Sequence, residues 1–324
     1  MIEVNGLRKS FRTGGRKKAT TVDAVSGVDL NVAEGEIFGF LGPNGAGKTT
    51  TLRMLATLIV PDGGTATIAG ADLLADPVGV RQRIGYVAQG GGTWDDVTAR
   101  EELVLQARLQ GIRKADAARR ADAAVKAFQL TEFADRWCKT YSGGQRRRLD
   151  IALGVVHGPA VLFLDEPTAG LDPQSRAHLW DEVRRLRSEG MTIFITTHYL
   201  DEADALCDRI AIIDFGKIVA EGTPSALKRE ISGDVVMLGL NGSTSEAAAA
   251  LTDRPYVLKL ETVESDPSTT SGGLRLYVDE GETAMPQIMR ELAGANVHLE
   301  TITLQRPTLD DVFLTKTGRS LRES

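Results

Sequence analysis

The chain has 324 residues, 42% of them apolar and 25% charged, and its net charge is −6; this length predicts two domains, and this composition is typical of a water-soluble globular protein. No stretch approaches the roughly 20 consecutive apolar residues that cross a bilayer, and the first residues lack the layout of a secretory signal, so we expect a cytoplasmic protein. The negative balance argues against nucleic-acid binding driven by overall charge, and two distant cysteines with four scattered histidines indicate neither a disulfide framework nor a zinc site.

Two strand patterns near the N-terminus flank a basic stretch. Residues 2–7 alternate like a half-buried strand, and residues 22–32 give a second strand-like region. The basic, glycine-containing stretch over residues 12–18 lies between them. A charge run of this size is typical of a solvated hairpin tip, which we favour over a contact with phosphate or lipid.

A glycine-rich stretch follows the apolar run over residues 37–41 and precedes a helical pattern over residues 51–58. It fits G-x-x-x-x-G-K-[ST], in which glycines let the backbone N–H groups point inward and the lysine adds a charge for the β- and γ-phosphates. A glycine-rich turn before an ordinary helix is the alternative, which the strand–loop–helix context disfavours. We therefore predict a nucleotide-binding P-loop, with the Thr49 hydroxyl on Mg²⁺. Its residues are Gly42, Pro43, Asn44, Gly45, Ala46, Gly47, Lys48, Thr49 and Thr50.

The middle of the chain combines a helical insert with buried strands. After a turn at residues 61–64 and short strands at 65–68 and 84–88, a helical texture begins at about Gly90 and lasts to about Thr140, with a capping box of Thr98 and Glu101. The apolar runs 160–164, 191–196 and 209–213 are separated by helical stretches, one of them capped by Asp172. This alternation predicts a parallel sheet that is covered on both faces.

The character changes again at residues 228–233. Strand patterns at 234–240, 256–260, 274–278 and 297–304, with a helix at 284–292, predict a small α+β domain of a βαβ kind, which contains a flexible connection at 267–273. We place the domain boundary so that residues 1–228 form one domain and residues 229–324 the other.

Two acids close the buried strand at residues 161–165. A P-loop nucleotide hydrolase needs a carboxylate for the Mg²⁺ shell and a group that activates water. We assign Asp165 to the magnesium side and Glu166 to the attacking water. The alternative is an N-cap aspartate followed by a surface glutamate, which the downstream position after a P-loop disfavours.

Tyr141-Ser142-Gly143-Gly144-Gln145 is the second informative stretch, and by itself it predicts a helix that Ser142 caps. It joins a series in fixed order: the P-loop, Gln89, this stretch, Asp165-Glu166, Ala169-Gly170-Leu171-Asp172 and His198. With this series, residues 1–228 resemble the ATP-binding cassette (ABC) ATPases, whose signature motif is L-S-G-G-Q. Tyr141 stands where that motif has leucine, at a position that we expect to serve packing.

The resemblance implies a fold class: an α/β P-loop NTPase of ABC type, with a mainly parallel sheet, N-terminal antiparallel strands and a helical subdomain at about 90–150, followed by the small α+β domain. It also implies a head-to-tail homodimer that buries two ATP molecules. Ser142 and Gly144 of one subunit would then contact the γ-phosphate that Lys48 of the other holds, and Gly143 and Gln145 of the same motif would also belong to the nucleotide site.

Four further residues receive roles from the resemblance. Gln89 would complete the surroundings of Mg²⁺ and water and relay the nucleotide state, and His198 would contact the γ-phosphate and support Glu166. Asp172 would lie at the dimer seam, although its sequence context also makes it an N-cap. Phe11 is the candidate for stacking on adenine, with core packing as the alternative.

The arginines at positions 146–148 raise a nucleic-acid interpretation. They follow the signature on the same helix, and we favour an exposed face of seam or surface charge instead. We therefore expect no nucleic-acid partner.

The C-terminal tail points to one kind of ABC protein. Thr308 caps a predicted terminal helix, Leu309, Val312 and Phe313 form one face, and Gly318 can end it. This tail resembles that of the daunorubicin-resistance-type drug-export ATPases, which work with a separate permease.

That resemblance implies an ATP-hydrolysing exporter subunit at the cytoplasmic face of the cell membrane, which powers efflux of a drug, antibiotic or other hydrophobic compound. A polytopic permease would dock between the helical insert and the sheet domain. A soluble ABC ATPase acting on ribosomes or DNA is the alternative, but such proteins tend to carry two cassettes or a long coiled coil. A cassette with dead catalysis is disfavoured by the presence of Lys48, Asp165, Glu166 and His198.

Overall fold

A computed structural model describes residues 1–13, 20–231, 233–241, 244–263 and 273–318. The chain divides into two compact units, Met1–Pro224 and Ser225–Glu323. Two predicted segments lie largely outside the described residues. They are residues 14–18 of the basic run at 12–18 and residues 267–272 of the predicted connection at 267–273. Across the described ranges, no helix is long and apolar enough to cross a membrane.

The first unit contains two sheets, seven α-helices and a short 3-10 helix (Cys138–Thr140) among its described residues. Its strands are β1 (Ile2–Thr13), β2 (Thr20–Val32), β3 (Ile37–Leu41), β4 (Gly63–Ile68), β5 (Ala71–Asp72), β6 (Ile84–Val87), β7 (Val161–Asp165), β8 (Thr192–Thr197), β9 (Arg209–Asp214) and β10 (Lys217–Gly222). Its helices are α1 (Lys48–Leu55), α2 (Pro77–Arg83), α3 (Ala99–Leu109), α4 (Lys114–Ala127), α5 (Gly143–Val155), α6 (Pro173–Ser188) and α7 (Leu200–Leu206). An antiparallel sheet has the order β2-β1-β4-β5, and the larger sheet has the order β10-β9-β3-β8-β7-β6.

The larger sheet positions the candidate site. Strands β3, β6, β7, β8 and β9 run parallel, while β10 is antiparallel to β9. Every residue of β3, β7 and β8 is buried, as expected for the predicted parallel sheet with both faces covered. In this register Leu41 pairs with Thr197, and Asp165 pairs with Thr196. The residues that follow β3, β7 and β8 therefore meet at one edge, where ligands of open α/β sheets bind.

Several helix ends follow their capping residues. The capping box of Thr98 and Glu101 opens α3, and Ser142 caps α5. Helix α1 begins at Lys48, three residues before the predicted start, because the loop ends at Gly47, whose φ of 108° is left-handed. Helix α2 was not predicted, although Asp76 caps it and Pro77 stands at its favoured first position.

The second unit is a four-stranded antiparallel sheet with helices. Its elements are α8 (Pro224–Ile231), β11 (Asp234–Asn241), α9 (Thr244–Leu251), β12 (Val257–Val263), β13 (Gly273–Val278), α10 (Gly281–Gly294), β14 (His298–Gln305) and α11 (Leu309–Thr317). The order β12-β13-β11-β14 places β11 between β13 and β14, which is a split βαβ arrangement. All four predicted strands are present, whereas α9 was not predicted. Helix α11 has the predicted cap at Thr308 and a left-handed Gly318 at its end.

Candidate active site

Backbone packing shapes the loop between β3 and α1. A Cβ on Gly42 would lie 2.3 Å from the Ile213 carbonyl oxygen, and a Cβ on Gly47 would lie 2.4 Å from that of Ala24. Neither position therefore accepts another residue without a shift of the backbone. Gly45 has a φ of 80° and open space around it. This tight turn into a helix N-terminus fits the phosphate groups of a nucleotide.

Lys48 is the buried cation of this loop, with 4% of its surface exposed. Its Nζ donates to the carbonyl oxygens of Gly42 at 2.8 Å and Pro43 at 3.1 Å, and it lies 3.1 Å from Glu166 Oε1. Burial lowers the pKa of Lys48, and the carboxylates of Glu166 and Asp165 oppose this shift. The sequence does not predict the contact between Lys48 and Glu166.

The Asp165 carboxylate accepts hydrogen bonds from two hydroxyl groups. Thr49 Oγ1 donates to its Oδ1 at 2.9 Å, and Thr196 Oγ1 donates to the same oxygen at 2.8 Å. The Thr49 hydroxyl and the Asp165 carboxylate are thus adjacent hard oxygen donors, which fits the ligand chemistry of Mg²⁺.

Glu166 stands at the centre of the cluster and is 6% exposed. Its Oε2 accepts a hydrogen bond from Gln89 Nε2 at 3.0 Å and lies 3.1 Å from His198 Nδ1. Its φ is 43°, an uncommon left-handed value for a residue with a side chain. The structure therefore brings together four predicted residues: Lys48, Gln89, Glu166 and His198.

The signature and Asp172 form a second, exposed group. Ser142 and Gln145 hydrogen-bond each other in a capping box at the start of α5, and Asp172 accepts from the Ser175 backbone N–H at 2.9 Å at the start of α6. Gly144 lies against α6, because a Cβ there would meet Ser175 Oγ at 2.7 Å. The N-cap interpretation of Asp172 is therefore correct, and its place at a dimer seam stays a prediction.

Two aromatic residues of the sequence analysis lie outside the cluster. Phe11 is 39% exposed, with Lys9 Nζ 5.7 Å from its ring centroid, so it is not packed in the core. Its stacking on adenine stays a prediction. Tyr141 serves packing as expected: its ring meets Phe133 edge-on at 5.0 Å, and its hydroxyl donates to the Phe133 carbonyl at 2.6 Å. Burial raises the pKa of Tyr141 to about 12.

The expectation that the three arginines form an exposed face is wrong for Arg147, which is 5% exposed. Arg146 pairs with Asp95, and Arg148 Nη1 lies 3.4 Å from Gln129 Oε1. Successive residues on a helix are 100° apart, so three in a row cannot share one face. The sequence contains a signal for the burial of Arg147. Ile151 follows four residues later, so the two residues lie on the same buried stripe of the helix.

Glu202 is a buried acid that was not predicted from the sequence. Trp180 Nε1 donates to its Oε1 at 3.2 Å, and within the described part of the chain its Oε2 has no hydrogen-bond partner. Burial raises the pKa of this carboxyl group above its ordinary value. The folded state therefore holds its proton more tightly than the unfolded state does.

This shift predicts a pH-dependent stability. The stabilisation from protonated Glu202 is fully present below the unfolded carboxyl pKa and is lost as pH rises through the raised folded pKa. In Glu202→Gln the group cannot ionise, so we expect the variant to gain in melting temperature relative to the wild type as pH increases from 4 to 8. Melting curves of both proteins across this range test the effect, with the exposed Glu189→Gln as control. Parallel pH profiles of wild type and Glu202→Gln would contradict it.

Known proteins match both units. Residues 25–169 match the family described as ABC transporter, and residues 222–317 match the C-terminal domain described as ATP-binding protein DrrA1-3-like. The daunorubicin/doxorubicin resistance ATP-binding protein DrrA of Streptomyces peucetius is 45% identical over 98% of this chain and 92% of its own length. The linearmycin resistance ATP-binding protein LnrL of Bacillus subtilis is 33% identical over 100% of both chains.

A solved structure matches the first part of the chain. It is a dimeric ATP-binding cassette in a post-hydrolysis state bound to ADP and Pi. It has 26% sequence identity and a TM-score of 0.62, covering 69% of this chain and 98% of its own.

Proposed function

Because this chain belongs to the ABC transporter ATP-binding proteins of the daunorubicin/doxorubicin resistance type, we propose that it hydrolyses ATP to power an exporter of a drug, an antibiotic or another hydrophobic compound. The proposal that the chain hydrolyses ATP rests on one observation. The buried Glu166 carboxylate contacts Lys48, Gln89 and His198. The C-terminal match and the relatives that confer resistance support export as its use.

The residues of the cluster divide the work. Lys48 and the N–H groups of the loop bind the phosphates of ATP, and Glu166 accepts the proton of the attacking water. Gln89 and His198 both contact Oε2 of that carboxylate and so fix its direction. Thr49, Asp165 and Gln89 would together hold Mg²⁺, which neutralises phosphate charge when it is bound.

The resemblance to ABC ATPases implies that two subunits together complete the site. In a head-to-tail homodimer, the exposed start of α5 at Ser142 and the exposed Asp172 would face the nucleotide held by the partner. A helix N-terminus carries partial positive charge, which suits a phosphate group. The dimeric state of the matched cassette supports this arrangement.

The permease would dock on a groove of the first unit. A cavity of about 540 Å³ lies between the helical insert and the large sheet, and it is lined by the exposed side chains of Trp94, Leu105 and Leu109. Exposed apolar side chains that line one cavity mark an interaction surface. The groove is also lined by Gly91 and Gly92, which come two and three residues after Gln89 in the sequence. A partner in the groove would therefore lie close to a residue that contacts Glu166, and the chain would be a peripheral protein on the cytoplasmic face of the membrane.

A crosslinking experiment tests this partner. A photo-crosslinking residue in place of Trp94 should capture a polytopic membrane protein from native membranes. The double variant Leu105→Glu/Leu109→Glu should lower co-purification of that protein by at least about tenfold, since two buried carboxylates oppose docking, while ATP binding persists. Val60→Glu, an exposed apolar position outside the groove, is the matched control. Capture of only ribosomal or DNA-associated proteins would overturn the exporter and favour the soluble alternative.

A further inference from the structure

Arg147 joins the segments that carry Glu166 and Gln89. Its Nε donates to the Pro167 carbonyl at 2.7 Å, and its Nη1 donates to the Ala88 carbonyl at 2.7 Å. Its Nη2 lies 3.4 Å from the Asp165 carbonyl oxygen. One guanidinium therefore holds the residues on both sides of Glu166 and the residue before Gln89.

These contacts matter because Glu166 has an unfavourable backbone conformation. A left-handed φ of 43° on a residue with a side chain persists only where its surroundings hold it. The Glu166 N–H donates to the Thr196 carbonyl at 3.0 Å on one side. Arg147 binds the carbonyls of the two residues that flank Glu166, so removing it would release the turn that aims the carboxylate.

The same helix holds the far end of the Gln89 segment. Asp150, one turn after Arg147 on α5, accepts hydrogen bonds from the Gly92 N–H at 3.1 Å and from Thr93 Oγ1 at 2.7 Å. Arg147 Nη1 lies 3.9 Å from Asp150 Oδ2, so the two buried charges also face each other. Helix α5 thus fixes both ends of residues 88–93.

We propose that Arg147 is a positioning residue for ATP hydrolysis, which couples helix α5 to the Glu166 carboxylate of the same chain. This inference rests on the proposed role of Glu166 in activating water. Helix α5 begins at Gly143, directly after its cap Ser142, the residue assigned to the partner's nucleotide. A shift of α5 on nucleotide contact would therefore move the carbonyls around Glu166 and Ala88 through one rigid guanidinium.

The test compares Arg147→Lys with Arg147→Gln in the purified full chain. Lysine keeps the buried charge but cannot bind three carbonyls in one plane. We expect kcat for ATP hydrolysis to fall by about 10- to 100-fold in both variants, since small misplacement of a reacting group has effects of this size, while KM for ATP changes by less than about threefold. Arg148→Gln, which removes the neighbouring charge on the same helix, is the control and should stay within about twofold of the wild-type kcat.

Chemical rescue separates positioning from folding. In Arg147→Ala, millimolar methylguanidinium should restore part of kcat, whereas methylammonium should not. Equal kcat in Arg147→Lys and wild type would overturn the proposal, and so would a parallel loss of ATP binding and melting temperature in both variants without rescue. Glu166→Gln decides the underlying function separately: if that variant is inactive while Arg147→Lys is fully active, only the positioning role fails.

Discussion

Glu166→Gln should lose ATP turnover by about 100- to 10,000-fold, the usual contribution of a general base, and still bind ATP. Glutamine has nearly the same shape as glutamate and can still accept a hydrogen bond from Gln89. It cannot take a proton from water, and it also lacks the negative charge that pairs with Lys48 in the wild type. Lys48 and the loop N–H groups, which we assign to phosphate binding, remain in place.

Steady-state phosphate release and titration with a fluorescent ATP analogue measure the two effects separately. Glu189→Gln is the matched control, because it makes the same chemical change at an exposed residue just after the end of α6. In the described structure, the Glu189 side chain is hydrogen-bonded to Arg185 only. We also expect ATP to stabilise a dimer of Glu166→Gln, since the bound nucleotide is not consumed. Turnover at the wild-type rate in Glu166→Gln would remove the assignment of the base.

Eight strands of the first unit could be predicted because they depend on local sequence, whereas the short β5 and the edge strand β10 were not predicted. The apolar run that becomes β3 and the acids that close β7 are visible in the chain, and parallel strands bring their carboxyl ends to one edge. The order of motifs then indicated which residues meet. Helix caps such as Thr98 and Ser142 were predictable for the same reason, since the capping residue and its partner are three residues apart.

Apart from the support of Glu166 by His198, which the resemblance implied, the contacts inside the site were not predicted because they join distant residues. The pairing of Lys48 with Glu166 and the burial of Arg147 depend on which side chains face each other after folding. Buried polar groups must find partners, but the sequence does not say which. Glu202 was missed because a glutamate on a charged helix is usually exposed, and only the contact with Trp180 shows otherwise.

Lys48→Ala should weaken ATP binding by at least about tenfold, since a hydrogen bond to a charged group contributes about 1.5–3 kcal/mol. It should also destabilise the protein without nucleotide. Lys48 Nζ lies 3.1 Å from Glu166 Oε1, and both side chains are buried. Removing one partner of a buried ion pair leaves an uncompensated charge, at a cost of about 3–5 kcal/mol.

The double variant Lys48→Ala/Glu166→Gln separates these two effects. Removing the charge of Glu166 should return most of the lost stability, whereas ATP binding should stay weak because the phosphate still lacks its cation. Melting curves without nucleotide and titrations with a fluorescent ATP analogue give the two quantities. Additive losses of stability in the double variant would contradict the pairing. A recovered melting temperature with weak ATP binding would support both the pairing of Lys48 with Glu166 in the nucleotide-free protein and the assignment of Lys48 to phosphate binding.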